Sequence, residues 1–420
     1  MSYFYFIVNT RPKAVSLPNY MSHKKTIRSN LQGIASLVTD ATIGITDLVE
    51  AMHRQIVHPP FLPSTPIQHL ISGLAGITYK NIRWSTKLIG NNIGNVLGRL
   101  TAAHPKIKNT YKTDAIRSVL NGVIGDYLER NENPLAITMQ IRHEAEAISI
   151  DKKSIGKAYP TINGKILLMV HGACMNDIKW TQKKHNHGLA LAKELKKTPV
   201  YLNYNSGLHI STNGQNFSAL IEELIQNWPL PVEELVIIGH SMGGLVSRSA
   251  LYYGQQQQKL WTKHLKKIVF LGTPHHGAPL EKIGNFLDAV LEAIPYTKPF
   301  AKLGKIRSAG VTDLRYGNLL DEDWKNIDRF KRQADKRQHL PLPQKVACYS
   351  IAGIVGKKTS VAAQLLGDNM VNVKSALGAH KDYTKTLNFK QENTMIAYEN
   401  NHIGLLSDAT IYNKLKCWLV

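Results

Sequence analysis

Ser241 is the residue best placed to do chemistry in this sequence, because it is the central residue of a Gly-x-Ser-x-Gly motif, Gly239–Gly243. The apolar run Leu235–Ile238 predicts a buried strand before the motif, and apolar residues at helical spacing follow from Leu245. A strand that breaks sharply into a helix holds a serine in a strained turn with its hydroxyl presented to substrate. The motif therefore predicts a nucleophilic serine, with the N-terminus of the next helix aimed at a developing oxyanion.

A serine hydroxyl is a weak nucleophile at neutral pH, so it needs a nearby base that is itself held by a carboxylate. In a parallel sheet the reactive side chains lie at the carboxyl ends of strands, where candidates are therefore sought. Among the 17 histidines, His402 follows the predicted strand Met395–Tyr398 and is the preferred base, with His380 as the alternative. Asp368 follows the predicted strand Val346–Ile351 and its loop, and is the preferred acid. The alternative acids are Asp313, Asp321, Asp323 and Asp382.

The segment His171–Ala250, together with the Gly-Thr-Pro-His-His-Gly sequence at Gly272–Gly277, resembles the α/β-hydrolase superfamily. Within that superfamily it is most similar to bacterial lipase-like esterases and to the related GPI inositol-deacylase-like group. The resemblance extends over roughly residues 160–410. It implies a doubly wound, mostly parallel sheet and a nucleophile, acid and histidine in that order along the chain.

The same resemblance implies a catalytic triad of Ser241, Asp368 and His402. Asn401–Leu406 is similar to the histidine motif of lipase-like enzymes. Gly367–Val373 resembles their Gly-Asp-Gly-x-Val-Pro loop, with asparagine in place of the second glycine and of the proline. Asparagine tolerates a positive φ angle, so the turn can form without the second glycine.

Two backbone N–H groups must stabilise the oxyanion of the tetrahedral intermediate, and loss of one such donor costs about 3–4 kcal/mol. Met242 follows the nucleophile and supplies the first donor. His171–Cys174 resembles the His-Gly-x turn of lipases, which implies Ala173 as the second donor. His275 and His276 come before every plausible acid and are interpreted as residues of the pocket wall.

A change of hydrophobic period divides the sequence near Asn131–Pro134. Residues 1–133 form a predicted basic helical region, with amphipathic stretches at about 36–57, 67–100 and 114–128. Residues 134–420 alternate predicted strands and helices, which indicates an α/β catalytic domain. The segment 278–344 exceeds a simple crossover and has apolar residues at helical spacing between 286 and 294, which predicts a helical lid or an ordinary covering helix.

The formal charge of +22 favours anionic partners such as phospholipid surfaces or acidic substrates. Residues 51–113 include basic side chains and no acidic ones. One interpretation is peripheral association with an anionic membrane, and the other is packing of this helical region on the catalytic domain. Nucleic acid is not an expected partner, because no zinc-ligand spacing or recognition-helix signal accompanies the charge.

Other classes of site have little support in the sequence. No spaced set of His, Cys or acidic residues indicates a metal site, and the expected chemistry needs no cofactor. Three dispersed cysteines indicate no disulfide framework. The N-terminus has no basic segment and its apolar run is too short for a signal peptide, and no run approaches the length of a membrane span. We expect a cytoplasmic or peripheral membrane protein, with the oligomeric state left open.

The sequence therefore predicts a serine hydrolase that cleaves carboxylic esters, with a lipid-like or other acyl-bearing substrate. An acyltransferase or thioesterase of the same fold is an alternative, because water and another acceptor use the same triad. A non-enzymatic membrane-binding protein that retains the fold is the alternative from a different class. The fold by itself does not select among substrates.

Overall fold

The computed structural model describes Lys80 and residues 111–279, 282–285, 307–325, 335, 337–357 and 367–420. Contacts divide the chain after Ile107, and the second unit is Lys108–Val420. The helical stretches predicted at about 36–57 and 67–100 lie outside the described residues, as does the apolar helical pattern at 286–294.

An eight-stranded sheet forms the centre of the second unit, in the order β10-β9-β8-β7-β3-β6-β1-β2. The six strands from β10 to β6 in that order are parallel to their neighbours, whereas β1 is antiparallel to β6 and β2 is antiparallel to β1. The strands of this sheet are β1 Gln140–His143, β2 Glu146–Ala147, β3 Lys165–Val170, β6 Thr198–Asn203, β7 Glu234–His240, β8 Leu265–Leu271, β9 Ala347–Ile354 and β10 Thr394–Tyr398. The prediction of a mostly parallel, doubly wound α/β sheet is confirmed.

Helices connect the strands and cover the sheet. The α-helices are α1 Tyr111–Arg130, α2 Lys152–Ala158, α3 His187–Leu195, α4 Ile210–Gln226, α5 Met242–Gln256, α6 Trp261–His264, α7 Ala309–Tyr316, α8 Val373–Ala376 and α9 Ala409–Leu419. A separate two-stranded ribbon is formed by β4 Thr181–Gln182 and β5 His185–Asn186. Among the described residues, no helix has the length and apolar character needed to cross a bilayer.

The central strands are buried on both faces, as their continuous apolar runs predict. Leu167 and Met169 of β3 pack in one cluster with Leu191 of α3 and Leu415 of α9. Successive side chains of a strand point to opposite faces, so Leu168, which is also fully buried, faces the other layer. This two-sided packing holds the carboxyl ends of β3, β7 and β8 in fixed positions.

Helix α1 packs against the segment that precedes β1. Arg117 Nε donates to Leu135 O at 3.0 Å, and Asn121 Oδ1 accepts from the N–H of Ile137 at 2.8 Å. Ile137, Met139 and Ile141 alternate with polar residues, which predicts a first strand from Ile137. The observed strand begins later, at Gln140, because the backbone at 135–137 bonds to helix side chains instead of to a neighbouring strand. The sequence placed this helix in the region 1–133, whereas its contacts join it to the unit Lys108–Val420.

A second contact of α1 reaches the turn after β3. A Cβ atom on Gly122 would lie 2.2 Å from Cys174 Sγ, so the helix backbone lies directly against this turn. The Gly122 carbonyl also accepts a 2.6 Å hydrogen bond from Ser308 Oγ, which precedes α7. Helix α1 is therefore part of the structure behind the turn that contains Ala173.

Candidate active site

Ser241 lies between the end of β7 and the start of α5, with φ 54° and ψ −124°. A positive φ is unfavourable for any residue with a Cβ atom, and such strain persists only where the surrounding structure imposes it. Here the Ser241 N–H donates to Leu271 O at 2.8 Å, and the Gly244 N–H donates to Ser241 O at 3.1 Å. The predicted turn from strand to helix is present, and its strain is held by β8 on one side and α5 on the other.

The two outer glycines of the motif are required by close backbone contacts. A Cβ atom on Gly239 would lie 2.7 Å from Gly244 Cα. A Cβ atom on Gly243 would lie 2.2 Å from Val170 O and 2.5 Å from His171 O. Both contacts are with backbone, which cannot rotate away as a side chain can, so α5 reaches the sheet only because these positions lack side chains.

Replacement of Gly243 with alanine is expected to lower the free energy of unfolding by at least ~2 kcal/mol, because the new methyl group forces β3 and α5 apart. Gly156→Ala is the matched control, since its Cβ atom would lie 3.9 Å from Pro229 Cγ, its nearest neighbour, within helix α2. We expect that change to stabilise the protein by ~0.5–1 kcal/mol. Urea unfolding followed by circular dichroism measures both, and equal unfolding midpoints would contradict the packing argument.

Asp368 and His402 form a buried pair at the carboxyl edge of the sheet. His402 Nδ1 and Asp368 Oδ2 are 2.7 Å apart, and the His402 N–H donates to Asp368 O at 3.1 Å. Asp368 Oδ1 accepts from the N–H groups of Met370 and Val371 at 3.0 and 2.8 Å. Asn369, which replaces the second glycine of the family loop, has a positive φ of 77°, as this turn requires. Each carboxylate oxygen is thus fixed by its own partners.

The charge of Asp368 is maintained in spite of its burial. Burial raises the pKa of this carboxyl, but His402 and the N–H groups of Val371 and Met370 favour the ionised form and together hold the pKa below its ordinary value. Asp368 is therefore a carboxylate at neutral pH. It accepts the Nδ1 proton of His402, which leaves Nε2 as the basic nitrogen of the neutral ring.

The Asp368–His402 pair lies beside the strained serine. A Cβ atom on Gly272 would lie 3.2 Å from both Asp368 Oδ2 and His402 Cε1, and Gly272 directly follows the residue that binds the Ser241 N–H. The ring of His240 lies 4.7 Å from the ring of His402, and its Nε2 lies 3.0 Å from His402 O. The three predicted triad residues thus converge on one end of β7 and β8. Ser241 Oγ makes no hydrogen bond to any residue that the structure describes.

The turn after β3 lies against the same serine. A Cβ atom on Gly172 would lie 3.0 Å from Ser241 Cβ, which places Ala173 in the turn that borders the nucleophile. The ring of His171 stacks on Tyr204 at 4.3 Å, and burial lowers the pKa of His171 to about 4. Met242 is the first residue of α5, where a backbone N–H has no acceptor within the helix. Ala173 and Met242 therefore both lie beside Ser241, as the sequence predicted for oxyanion donors.

The alternative base lies away from the nucleophile. His380 Nε2 is 3.4 Å from Asp335 Oδ2, and its ring lies 4.8 Å from His276. His276 in turn bonds through Nε2 to Gly378 O at 2.9 Å, and His275 packs against Phe270. His275 and His276, interpreted from the sequence as residues of the pocket wall, line a cleft whose lining includes neither Ser241 nor His402.

The alternative acids have structural partners of their own. Asp313 Oδ2 lies 2.9 Å from His209 Nδ1, and Asp323 Oδ2 accepts from two backbone N–H groups. Asp321 pairs with Lys325 at 2.8 Å, and the exposed Asp382 accepts from Thr384. Each of these four carboxylates is thus held by a residue other than His402. Within the described residues, no group of three or more His, Cys, Asp or Glu side chains is arranged to hold a metal ion.

Sequence reasoning missed two features of this region. His240 occupies the variable position of the motif, but its ring packs on the ring of His402 and its Nε2 contacts the His402 carbonyl oxygen. Arg248, seven residues after Ser241 and 7% exposed, gave no signal because a single arginine in an amphipathic helix is usually at the surface. Only a structure shows that its side chain turns inward.

The sheet order, the strained serine between β7 and α5, and the Asp368–His402 pair define an α/β-hydrolase fold. Residues 161–341 match the family model described as PGAP1-like alpha/beta domain. This match covers less than half of the chain and agrees with the resemblance to the GPI inositol-deacylase-like group. No curated protein matches the chain.

Solved structures similar to this one include bacterial and archaeal esterases. The mature lipase of Bacillus licheniformis has 16% sequence identity and a TM-score of 0.41, over 67% of this chain and 98% of the lipase. An esterase of Pyrococcus furiosus has 13% identity and a TM-score of 0.35, over 61% of this chain and 80% of its own. An esterase of Thermogutta terrifontis has 13% identity and a TM-score of 0.35, over 61% and 90% of the two chains.

Proposed function

We propose that this protein is a serine hydrolase that cleaves carboxylic esters through an acyl-enzyme on Ser241. The observation that carries the proposal is the 2.7 Å contact of His402 Nδ1 with Asp368 Oδ2 beside a serine at φ 54°. A buried carboxylate that fixes one imidazole nitrogen leaves the other as a general base, and the strained turn supplies a nucleophile for that base. Hydrolysis of esters is also consistent with the family match of residues 161–341.

In the first step His402 Nε2 accepts the Ser241 hydroxyl proton while Oγ forms a bond to the ester carbonyl carbon. The resulting oxyanion is stabilised by the backbone N–H groups of Ala173 and Met242. The carbon–oxygen bond to the alcohol then breaks, and His402 donates its proton to the leaving alkoxide. In the second half, water gives a proton to His402 and attacks the acyl carbon, and Ser241 leaves as the protonated hydroxyl.

The substrate class that we propose is an acyl ester with lipid-like character. The sequence carries a formal charge of +22, which favours approach to anionic interfaces, and the segment 278–344 is longer than a simple connection. Peripheral association with an anionic membrane surface is part of the same proposal. Such association would bring the enzyme to a membrane surface where its acyl substrate and anionic head groups are both present.

The test is reaction of the purified full chain with an active-site-directed fluorophosphonate, together with hydrolysis of p-nitrophenyl esters from acetate to palmitate. We expect covalent labelling, turnover of the esters, and a kcat/KM that rises with acyl length. A protein that reacts with neither reagent would overturn the hydrolase proposal. Turnover confined to the shortest esters would overturn the lipid-like substrate while the ester hydrolase stands.

A further inference from the structure

A small, solvent-open cleft lies between α5, the loop after β8 and the loop that carries Lys385. Half of the twelve residues that line it have basic or imidazole side chains, and Asp323 is the acidic residue of the lining. The basic and imidazole residues are Arg248, His275, His276, Arg337, His339 and Lys385. The triad residues Ser241, Asp368 and His402 are not part of its lining. The mechanism proposed above does not use this cleft. A cluster of positive charge in a cleft attracts anionic ligands, so the cleft is a candidate binding site.

Arg248 is a buried cation of this cleft. Its side chain is 7% exposed, and no carboxylate of the described residues lies within ion-pair distance of it. The guanidinium donates to Leu340 O and lies 3.4 Å from His275 Nδ1. Burial, with the nearby charge of Arg337, lowers the pKa of Arg248 to about 10, so it stays charged at neutral pH. A buried charge without a counter-charge is costly, and an anion in the cleft would offset that cost.

Two histidines of the cleft add buried polar nitrogens with no partner among the described residues. His275 is 1% exposed, and its Nε2 makes no hydrogen bond to them. His276 Nδ1 is likewise buried and makes no hydrogen bond to the described residues. Burial lowers the pKa of His276 to about 4 and that of His275 well below its usual range, so both rings are neutral near pH 7. His275 Nδ1 faces the Arg248 donor, so the N–H of the neutral ring lies on Nε2 and suits an acceptor oxygen. His276 donates from Nε2 to Gly378 O, so its Nδ1 can only accept.

The acidic residues near the cleft already have partners. Asp335 binds Arg337 through two contacts of 2.8 and 3.0 Å and lies 3.5 Å from Lys385 Nζ. Asp323 accepts three backbone N–H groups at 2.8–3.1 Å through its two oxygens. One carboxylate is thus shared by two cations and the other is occupied by the backbone, so neither of these two acids neutralises the charge of Arg248.

We propose that this cleft is a binding site for a phosphate group, either free phosphate or the phosphate of a lipid head group, with Arg248 as its central ligand. The planar guanidinium matches two phosphate oxygens, and the Nε2–H of His275 and the ammonium group of Lys385 supply further donors. Arg248 follows Ser241 by seven residues on one helix, which places the two Cα atoms ~10 Å apart along its axis. The site does not depend on ester hydrolysis, so it stands or fails separately from the proposed function.

The test is calorimetric titration of the full chain with inorganic phosphate at constant ionic strength. We expect saturable binding of one phosphate per chain, weakened at least tenfold in Arg248→Gln. Lys266→Gln is the matched control, because Lys266 is exposed at the opposite end of the sheet and its loss removes the same charge. It should change the affinity less than twofold. An absence of saturable binding, or equal weakening in the two variants, would overturn the proposal.

Since Arg248 is buried, its variant must be shown to fold, by a circular dichroism spectrum that superposes on that of the parent. Lys385→Gln keeps the proposal testable if Arg248→Gln is unfolded, because Lys385 lies at the partly exposed rim. We expect a loss of affinity of at least threefold there, and an unchanged affinity would count against the site.

Hexyl phosphate distinguishes the two sources of the phosphate and has no carboxylic ester to hydrolyse. If it displaces inorganic phosphate with at least tenfold higher affinity, and Arg248→Gln abolishes that binding, the site takes a lipid head group. If the two affinities are equal, it takes free phosphate. If hexyl phosphate binds without displacing inorganic phosphate, the two ligands do not share the cleft and the lipid assignment is wrong.

Discussion

Replacement of Ser241 with alanine is expected to abolish fluorophosphonate labelling and to lower kcat/KM for p-nitrophenyl esters by at least about 10⁴-fold. The acyl-enzyme forms through Ser241 Oγ, and the remaining site can only bind and polarise the ester. Stability should change by less than about 0.5 kcal/mol, because Oγ makes no hydrogen bond to the described residues and alanine keeps the same backbone strain. Steady-state kinetics and a urea titration measure the two effects.

Ser247→Ala is the matched control for that experiment. Ser247 lies on the same helix, is fully buried, and donates from Oγ to Gly243 O at 2.7 Å. Its loss should cost about 1 kcal/mol of stability and leave labelling intact. If the Ser241 variant kept its labelling, or if both variants lost it equally, the nucleophile would have to be sought elsewhere.

Asp368→Asn is expected to lower kcat by about 10³- to 10⁴-fold while the protein stays folded. The carboxylate oxygen Oδ1 accepts two backbone N–H groups, so the oxygen of the new amide must occupy that position. The amide NH₂ then faces His402 Nδ1, which must become an acceptor. The proton moves to Nε2, and a ring protonated there cannot take the proton of Ser241.

Asp382→Asn provides the comparison, since Asp382 was an alternative acid and lies at the surface, where it accepts from Thr384. Its kcat should stay within about twofold of the parent, as is usual for surface changes. A fall in activity for Asp382→Asn that matches the fall for Asp368→Asn would contradict the role of the Asp368–His402 pair.

The central strands and the elbow could be predicted from the sequence because local patterns determine them. The largely apolar sequence Lys165–Val170 predicts a buried strand, and β3 has the same bounds. The positive φ at Asn369 follows from the residue type that replaces glycine, and the close contacts of Gly239 and Gly243 follow from the motif. At each of these positions, the residues of one short segment are sufficient to predict the local structure.

Features that depend on distant segments could not be predicted in the same way. The alternation at Ile137 and Met139 indicated a strand, but the side chain of Asn121, 16 residues earlier, takes the backbone N–H of Ile137. The inward orientation of Arg248 depends on Leu340, which lies 92 residues later in the sequence. Neither contact leaves a periodic pattern in the residues around it, so only the folded chain reveals it.

The contact of Gly122 with Cys174 determines how short an active chain can be. A protein cut to begin at residue 134, where the hydrophobic period changes, would lose α1 and expose the back of the turn that contains Ala173. That turn would then be free to move away from Ser241, and a folded sheet would lack one of the proposed oxyanion donors. Under the proposed mechanism, helix α1 thus belongs to the smallest unit that can hydrolyse an ester, and any event that shifts this helix would alter the rate of hydrolysis.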